Sequence, residues 1–359
     1  MSTPHLSTPV GFADIARLDR GERIAGAPIH ELLEYIDARH DCADFRLMPV
    51  LRSLYCYAHL LPEATVEAMQ QTVLSFKYWM DEPGEDSMCY WSENHQLLFA
   101  VCEYLAGQLY PTAVFRNDGQ TGAEHQAKAA VRLEIWLASR FRWGFVEWHS
   151  NVYYEEDVAA LSLLIDCAAD PELRRKATIL LDLLLLDMAL HSYRGLLAAA
   201  SGRCYAEQKQ DPQRQNVRDV MAYAFGYRWD EGPDYGRVSA DLLLNKRYRV
   251  PELLKQIALD PRPRVVQDSQ GLDLGEVRRY FPDTKDKLGH GMYLWSMEAF
   301  SNPESARQTV QIWRDWELQS NGFLSSIRYM DIPLVRRTPL LPLLLRVLNP
   351  VTQGLAIQR

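Results

Sequence analysis

The 359-residue chain has no long apolar run and no excess of basic residues. Its longest apolar stretch, 177–190, is interrupted by Asp182 and Asp187 and is shorter than the roughly 20 residues of a membrane-spanning helix. Residues 1–13 show neither the basic region nor the apolar core of a secretory signal. The formal net charge of -8 disfavours a nucleic-acid partner, which normally requires a basic face. We therefore expect a cytoplasmic protein without a membrane or nucleic-acid partner.

Several motifs that identify metal or nucleophile chemistry are also missing from the sequence. No HExxH motif, EF-hand loop, glycine-rich nucleotide loop or GxSxG element occurs. The six cysteines include no CxxC pair, and most of them fall inside apolar helical patterns. Such cysteines are typical of buried free thiols in a reducing compartment. The sequence thus predicts no metal and no cofactor.

The composition and periodicity of the chain indicate a helical globular protein. Hydrophobic residues make up 47% of the chain and charged residues 24%, whereas a disordered chain would have fewer of the former. Apolar residues recur at three- and four-residue spacing, and strand-like alternation is scarce. The spacing predicts helices over 29–38, 44–61, 63–79, 95–109, 122–140, 154–168, 171–193, 215–224 and 303–318. The predicted fold class is all-α.

The loops between the predicted helices suggest how those helices are arranged. Trp91 lies beside Glu93 in one loop, and Trp143, Glu147 and Trp148 form a similar aromatic and acidic cluster in a later loop. This recurrence favours successive helical hairpins whose loops open on one face, as in a solenoid or a closed toroid. We expect one domain over 1–359, an (α/α) toroid or incomplete toroid of helical hairpins, with a candidate sub-boundary near residue 230.

The most informative stretch is 90–96, which reads YWSENHQ just ahead of an apolar helix. Capping that helix needs only one residue such as Ser92 or Asn94, so the additional imidazole of His95 calls for another explanation. Flat aromatic rings such as Trp91 stack on sugars, and this favours a carbohydrate-active protein. The alternative interpretation of Asn94 and His95 is a helix cap followed by a buried, hydrogen-bonded histidine.

Asn94 and His95, which open a helix ending in small residues, glycine and Tyr-Pro, resemble the heparinase II/III and alginate-lyase group of polysaccharide lyases. In that group an Asn-His pair opens an inner helix of an (α/α) toroid. A tyrosine follows later, in a segment with glycine, glutamate and serine, and Glu147 and Tyr153 match this second element. Tyr154 is an alternative to Tyr153. The resemblance covers residues 40–200.

The resemblance implies a β-elimination on a poly- or oligosaccharide that contains uronic acid. Asn94, assisted by His95, would neutralise the uronate carboxylate and stabilise the enolate-like charge. Tyr153 would act as base, acid or both, and Glu147 is a further catalytic candidate. A tyrosine base needs its pKa lowered from about 10 by positive neighbours. The substrate-binding candidates are Trp91, Glu93, Trp143, Trp148, His149, Tyr154, His191, Arg194, Arg203 and His290.

Two other functions are compatible with the same residues. A glycoside hydrolase of toroid architecture would use Glu147 and Glu93 as its pair of carboxylates. A non-catalytic glycan-binding or scaffold protein would need neither acid nor base. The acidic run 155–157 is interpreted as a favourable first turn of a solvated helix, and His191 as a basic residue favoured at a helix C-terminus.

The end of the chain is apolar and rich in proline over 334–348. Apolar segments of this kind usually pack against another surface. We therefore expect a β-rich partner domain, outside this chain and downstream of it, or a homo-oligomer formed through this segment. No such β-rich domain is visible in the sequence itself.

Overall fold

The computed structural model describes residues 12–228, 232–269, 276, 279–280, 303–322 and 324–333. Within those residues the regular structure is helical apart from one hairpin of two short strands, β1 (Ser192–Tyr193) and β2 (Leu196–Leu197). The helices are α1 (Ile15–Asp19), α2 (Ala27–Asp37), α3 (Ala43–Cys56), α4 (Glu63–Ser75), α5 (Glu93–Leu109), α6 (Gly122–Trp143), α7 (Tyr154–Cys167), α8 (Pro171–Leu190), α9 (Ala206–Gln210), α10 (Arg218–Phe225), α11 (Ala240–Leu244), α12 (Glu252–Leu259) and α13 (Pro303–Asp315). Short 3-10 turns cover Ala58–Leu60, Pro212–Arg214, Leu318–Ser320 and Ser325–Tyr329. The predicted all-α class is confirmed.

The helices from α3 to α12 pack in two rows. Helices α3, α5, α7 and α11 form an inner row, in which α5 contacts both α3 and α7 and α7 contacts α11. Nearly every residue of α3, α5 and α7 is buried. Helix α6 packs on α5, α8 packs on α7, and α12 packs on α8, each burying one face. An amphipathic helix belongs on the outside and a helix apolar on all sides belongs in the core.

Helices α5 and α6 approach each other so closely that glycine is required at the contact. A Cβ atom at Gly107 would lie 2.3 Å from the carbonyl oxygen of Gly122. A Cβ atom at Gly122 would lie 2.1 Å from the carbonyl oxygen of Tyr110. Just before this crossing, Thr121 and Glu124 form a reciprocal capping box that fixes the start of α6. The crossing therefore sets the position of α5, whose first turn carries the predicted site.

A buried arginine joins three elements of the inner row. Arg52 of α3 is fully buried and donates to Asp166 Oδ2 of α7 at 2.7 Å. Its Nε atom also donates to Asp241 of α11. Burial raises the pKa of the Asp241 carboxyl, although the charge of Arg52 opposes that rise. Paired charges of this kind are tolerated in a core only while both partners are present.

The six cysteines are free thiols, as the sequence predicts. Cys42, Cys89 and Cys102 are buried, and the other three are partly exposed. Among the helices that the structure describes, none is both long enough and apolar enough to cross a membrane.

Predicted and observed elements differ mainly at helix ends. The helix predicted over 44–61 ends at Cys56, and the one predicted over 171–193 ends at Leu190. The hairpin that follows Leu190 turns at Arg194 and Gly195, whose φ angles of 53° and 85° lie in the left-handed region. The apolar segment 334–348 lies outside the described residues. Residues 229–231, where the candidate sub-boundary was predicted, also lie outside them.

Candidate functional site

The first residue of α5 fixes a loop that is distant in sequence. Glu93 is fully buried, and Ser92 occupies the N-cap position before it. The two carboxylate oxygens of Glu93 accept hydrogen bonds from the backbone N–H groups of Val146 at 2.9 Å and Glu147 at 2.8 Å. The guanidinium of Arg140 donates to the same carboxylate. Glu93 therefore anchors the turn that presents Glu147 to the start of α5.

The next residue of α5 contacts the side chain of Glu147. Asn94 Nδ2 donates to Glu147 Oε2 at 2.6 Å, and both residues are 0% exposed. Arg203, from the loop after the β-hairpin, donates from Nη1 to Glu147 Oε1 at 2.5 Å. Because each oxygen of Glu147 has its own donor, the carboxylate is held between an amide and a guanidinium.

Arg203 extends this network to a pair of tyrosines. Its Cζ atom lies 3.9 Å from the centroid of the Tyr153 ring, which is a cation–π contact. The hydroxyl of Tyr153 is hydrogen-bonded to the hydroxyl of Tyr205. Tyr153 is 3% exposed, whereas Tyr205 is 44% exposed. The structure thus joins Asn94, Glu147 and Tyr153 in one network, buried except at its Arg203–Tyr205 edge.

The ionisation of Tyr153 follows from its burial. Burial raises the pKa of the Tyr153 hydroxyl well above its usual value, and the charge of Arg203 opposes this rise without cancelling it. The hydrogen bond to Tyr205 raises the pKa further. The hydroxyl is therefore protonated in the free protein at neutral pH, and the raised pKa disfavours a tyrosinate at this position.

His95 is held by an aspartate that the sequence analysis did not single out. His95 Nδ1 lies 2.7 Å from Asp44 Oδ2, and the imidazole stacks on Phe45 with ring centroids 4.9 Å apart. Burial alone would lower the pKa of His95, but the charge and hydrogen bond of Asp44 outweigh it and raise that pKa. The buried, hydrogen-bonded histidine of the alternative interpretation is present. The raised pKa favours the protonated imidazole, whose partner is Asp44.

The acidic run at the start of α7 is not solvated. Glu155, Glu156 and Asp157 occupy the first turn of α7 as predicted, but each is 3% exposed or less, so the expectation that this turn is solvated is wrong. Carboxylate oxygens of Asp157, Glu93 and Glu147 lie within 4.8 Å of one another. Burial raises the pKa of Asp157 well above its usual value, and its two acidic neighbours raise it further. This raised pKa favours the protonated form of Asp157.

Tyr154 belongs to a different cluster from Tyr153. Its hydroxyl donates to Asp187 Oδ2 at 3.2 Å and accepts the backbone N–H of His149 at 2.9 Å. His149 Nδ1 lies 3.1 Å from Asp187 Oδ2, and His191 Nδ1 lies 3.2 Å from Asp187 Oδ1. Burial would raise the pKa of Asp187, but the hydrogen bonds of the two histidines lower it to about 2. The pKa of His191 rises to about 8, chiefly through its hydrogen bond to Asp187.

The remaining predicted binding residues are scattered. The Trp91 side chain is buried, so its ring face is not presented to solvent. Trp143, the last residue of α6, and Trp148, in the loop between α6 and α7, are half-buried. Arg194 lies at the exposed turn of the hairpin, and His290 is outside the described residues.

Two surface cavities in the described part of the chain lie away from this network. One of about 470 Å³ is lined by residues of α2 and α4, among them Glu34 and Gln71. Another of about 320 Å³ lies between α6 and α8, next to Glu134 and Lys176. Neither cavity is lined by Asn94, Glu147, Tyr153 or Arg203. We therefore place the candidate site by its chemistry and not by the size of an opening.

Known proteins offer no assignment for this site. Comparisons of the chain with protein-family models, curated proteins and solved structures find no match of any of the three kinds. The function must therefore be inferred from the residues themselves. They provide a carboxylate-binding pair of donors, a protonated phenol next to a second phenol, and an imidazole made more basic by an aspartate.

Proposed function

We propose that the protein is a carbon–oxygen lyase that cleaves a uronic-acid-containing glycan by β-elimination. The observation that supports the proposal is the network of Asn94, Glu147, Arg203, Tyr153 and Tyr205. It combines donors suited to a carboxylate with hydroxyls suited to proton transfer. These are the two requirements of the reaction, because the proton next to a carboxylate becomes acidic only when the developing negative charge is stabilised.

The first step of the proposal is recognition of the uronate carboxylate. The carboxylate of Glu147 already occupies a position between the amide of Asn94 and the guanidinium of Arg203. A guanidinium has five N–H donors in a planar fork, so Arg203 has donors beyond the one given to Glu147. Its side chain is 19% exposed. A substrate carboxylate would bind Arg203 at this edge, with Asn94 and His95 behind it.

The second step is proton transfer through the paired tyrosines. A protonated Tyr153 gives its proton to the 4-linked oxygen as the glycosidic bond breaks. Tyr205 hands its own proton to Tyr153 and takes the proton released from the sugar carbon, whose electron pair forms the new double bond. Each hydroxyl ends with one proton, and no tyrosinate accumulates. This relay fits the raised pKa of Tyr153, which disfavours a free tyrosinate base.

The geometry gives less support to a hydrolase that uses Glu93 and Glu147. Both oxygens of Glu93 accept backbone N–H groups, and one also accepts from Arg140. A glycosidase carboxylate must be free to protonate the leaving oxygen, attack the sugar or activate water. Glu93 is engaged in positioning the loop instead.

We also propose that the helices form an (α/α) toroid or part of one. The alternation of buried inner helices with amphipathic outer helices supports this arrangement from α3 to α12. In such a fold the loops at the starts of the inner helices α5 and α7 meet at one end of the row. Asn94 and Tyr153, at those two helix starts, belong to one network.

The proposal is tested with the purified full chain on a panel of uronate-containing and neutral glycans. β-Elimination creates a conjugated double bond, so near-ultraviolet absorbance should rise together with reducing ends on a uronate glycan. Tyr153→Phe should lower the rate by a factor on the order of 10²–10⁴. The control is Tyr78→Phe, which removes an equally buried hydroxyl that donates to the Val73 carbonyl at 2.8 Å. Reducing ends without absorbance would indicate a hydrolase, and glycan binding without either would indicate a binding protein.

A further inference from the structure

Two histidines and an aspartate converge at the end of α8, apart from the network around Glu147. His191 Nε2 lies 2.9 Å from Asp268 Oδ2, and His149 Nε2 lies 3.6 Å from the same oxygen. The two imidazole centroids are 4.1 Å apart. We propose that His149, His191 and Asp268 bind one divalent transition-metal ion, and that Asp187 positions the two histidines. This inference is independent of the proposed lyase function.

The hydrogen bonds of Asp187 determine which nitrogen of each imidazole faces Asp268. Asp187 offers one oxygen to His149 Nδ1 at 3.1 Å and the other to His191 Nδ1 at 3.2 Å. A carboxylate that accepts from Nδ1–H leaves the lone pair of a neutral imidazole on Nε2. Two Nε2 lone pairs and a carboxylate oxygen then face one another. When His191 is protonated, its Nε2–H donates to Asp268 instead; a bound cation in place of that proton would satisfy all three acceptors, and carboxylates that orient metal-binding histidines in this way are common.

The distances suit a transition metal. Nitrogen and oxygen ligands lie about 2.0–2.2 Å from such an ion, so two of them are separated by about 2.9 Å at a right angle and about 3.4 Å at a tetrahedral angle. The observed separations from Asp268 Oδ2 are 2.9 Å and 3.6 Å. Oxygens of Asp187 and Asp268 and nitrogens of both histidines lie within 4.8 Å of one another. Little movement would be needed to close the ligands around one ion.

The ligands come from three separate segments, each held by its own contacts. His149 has a left-handed backbone, with φ of 45°, that places its ring against His191. His191 follows the last turn of α8 and is bonded through Nδ1 to the Asp187 carbonyl at 2.9 Å. The segment bearing Asp268 is tied to the helices by Arg264, which donates to the Ile257 carbonyl at 2.7 Å and the Ala189 carbonyl at 3.4 Å. The site is therefore assembled by the fold and not by one flexible loop.

The ligand chemistry selects the class of ion. Imidazole nitrogens favour zinc and other first-row transition metals over magnesium and calcium, which prefer oxygen alone. Two histidines and one carboxylate leave at least one coordination position open. The side chain of Asp268 is 29% exposed, so water or a small ligand has access to that position.

The experiment uses the full chain, treated with a chelator and then titrated with Zn²⁺ by calorimetry. One equivalent should bind, and the melting temperature should rise with bound metal. Asp268→Asn and His191→Gln should each weaken binding at least tenfold. The matched control is Asp260→Asn, because Asp260 lies on the same segment, is 27% exposed and pairs with Arg262 instead. Cobalt in place of zinc should give visible absorption bands that Asp268→Asn alters.

The proposal is overturned if the wild-type chain binds no Zn²⁺, or if Asp268→Asn binds it as tightly as Asp260→Asn does. Asp268 is partly exposed on a loop, so its asparagine variant tests the site even if His191→Gln does not fold. Weak binding of several equivalents that is the same in all variants would also overturn it, since this is adventitious surface binding.

Discussion

Tyr153 and Tyr154 are adjacent in the chain, yet their side chains belong to different chemical environments. Tyr153, before the first turn of α7, contacts Arg203 and Tyr205, whereas Tyr154 bonds to Asp187. Successive residues at a helix start are about 100° apart around the axis, so neighbours in sequence face different partners. From the sequence, either tyrosine could be the residue that transfers the proton. The contact with Arg203 favours Tyr153 for proton transfer next to the carboxylate-binding residues.

At the residue scale, the relative effects of two substitutions separate the enzyme classes. Glu147→Gln keeps an oxygen for Asn94 and the shape of the side chain, so we expect its lyase turnover to fall less than that of Tyr153→Phe. In a hydrolase the order reverses, because no amide replaces a carboxylate that protonates or attacks. Initial rates of both variants on the same glycan check this. A larger loss for Glu147→Gln would contradict the assigned role of Tyr153.

A second prediction at this scale concerns the pH dependence of one thiol. The hydrogen bond from Cys167 and the charge of Arg52 lower the pKa of Cys56 to about 7, against the opposing effect of burial. The thiolate fraction of Cys56 should therefore rise through neutral pH, where a free cysteine, with a pKa of about 8.5, is mostly protonated. Alkylation of Cys56 followed by peptide mass spectrometry should show a midpoint near pH 7.

The control for this thiol is Cys167→Ala, which removes the hydrogen-bond donor and leaves Arg52 in place. The alkylation midpoint of Cys56 should then move towards its ordinary value. If the midpoint stays near pH 7 in this variant, the hydrogen bond is not the main cause. If the wild-type midpoint already lies at the value of a free cysteine, the assigned pKa is wrong.

At the scale of elements, the packing of α3 against α7 and α11 includes buried ion pairs between Arg52 and the carboxylates of Asp166 and Asp241. Arg52→Met leaves the carboxylate of Asp241 buried without its partner, so we expect a loss of about 3–5 kcal/mol in the free energy of unfolding. Chemical denaturation measures this. Arg175→Met is the control, because that arginine of α8 is exposed and its pair with Glu172 should contribute nothing measurable. Equal unfolding midpoints for both variants would show that the buried pair is not needed.

The sequence predicted the long helices well and the short elements poorly. Helices α5, α6 and α8 start within two residues of their predicted positions, because apolar spacing persists over several turns. The β-hairpin, and short helices such as α11 and α12, were not foreseen, since five to eight residues contain too few turns for a period to show. Their positions depend on packing against α7 and α8.

In the candidate site, too, residues with a local sequence signal were predicted, whereas residues that depend on distant contacts were not. The Asn94 and Glu147 positions were singled out from local composition, and their side chains are in contact. Asp44, Tyr205 and Asp268 were missed because their partners lie far away in sequence. Which residues meet across such distances is decided by the packing of whole helices, which periodicity does not encode. Tyr205 lies two residues after Arg203, so the aromatic character of that loop was the one available signal.

At the scale of the whole molecule, two segments that are far apart in sequence, around Asp86 and Asn321, contact each other just before α5. Asn321 is 5% exposed and donates to Asp86 Oδ1 at 2.8 Å and to the Met88 carbonyl at 3.1 Å. Lys77 holds the other oxygen of Asp86 at 2.6 Å. The segment 86–92 leads directly into α5. The C-terminal part of the chain therefore supports the loop that carries Trp91 and positions the first turn of that helix.

This closure gives the last prediction. Asn321→Ala removes the side-chain donor to the Met88 carbonyl and one of two donors to Asp86 Oδ1, which keeps the Met88 N–H at 3.0 Å. We therefore expect a loss of about 1–3 kcal/mol in the free energy of unfolding. Amide hydrogen exchange over 86–92 should accelerate more than exchange in α8, because the contact is local to that loop. Gln311→Ala is the control, since Gln311 is exposed and donates to nearby Asp315 within α13 at 3.0 Å. Unchanged exchange over 86–92 would mean that the Asn321 side chain is not needed to hold the loop, which also has contacts with Lys77 and Arg39.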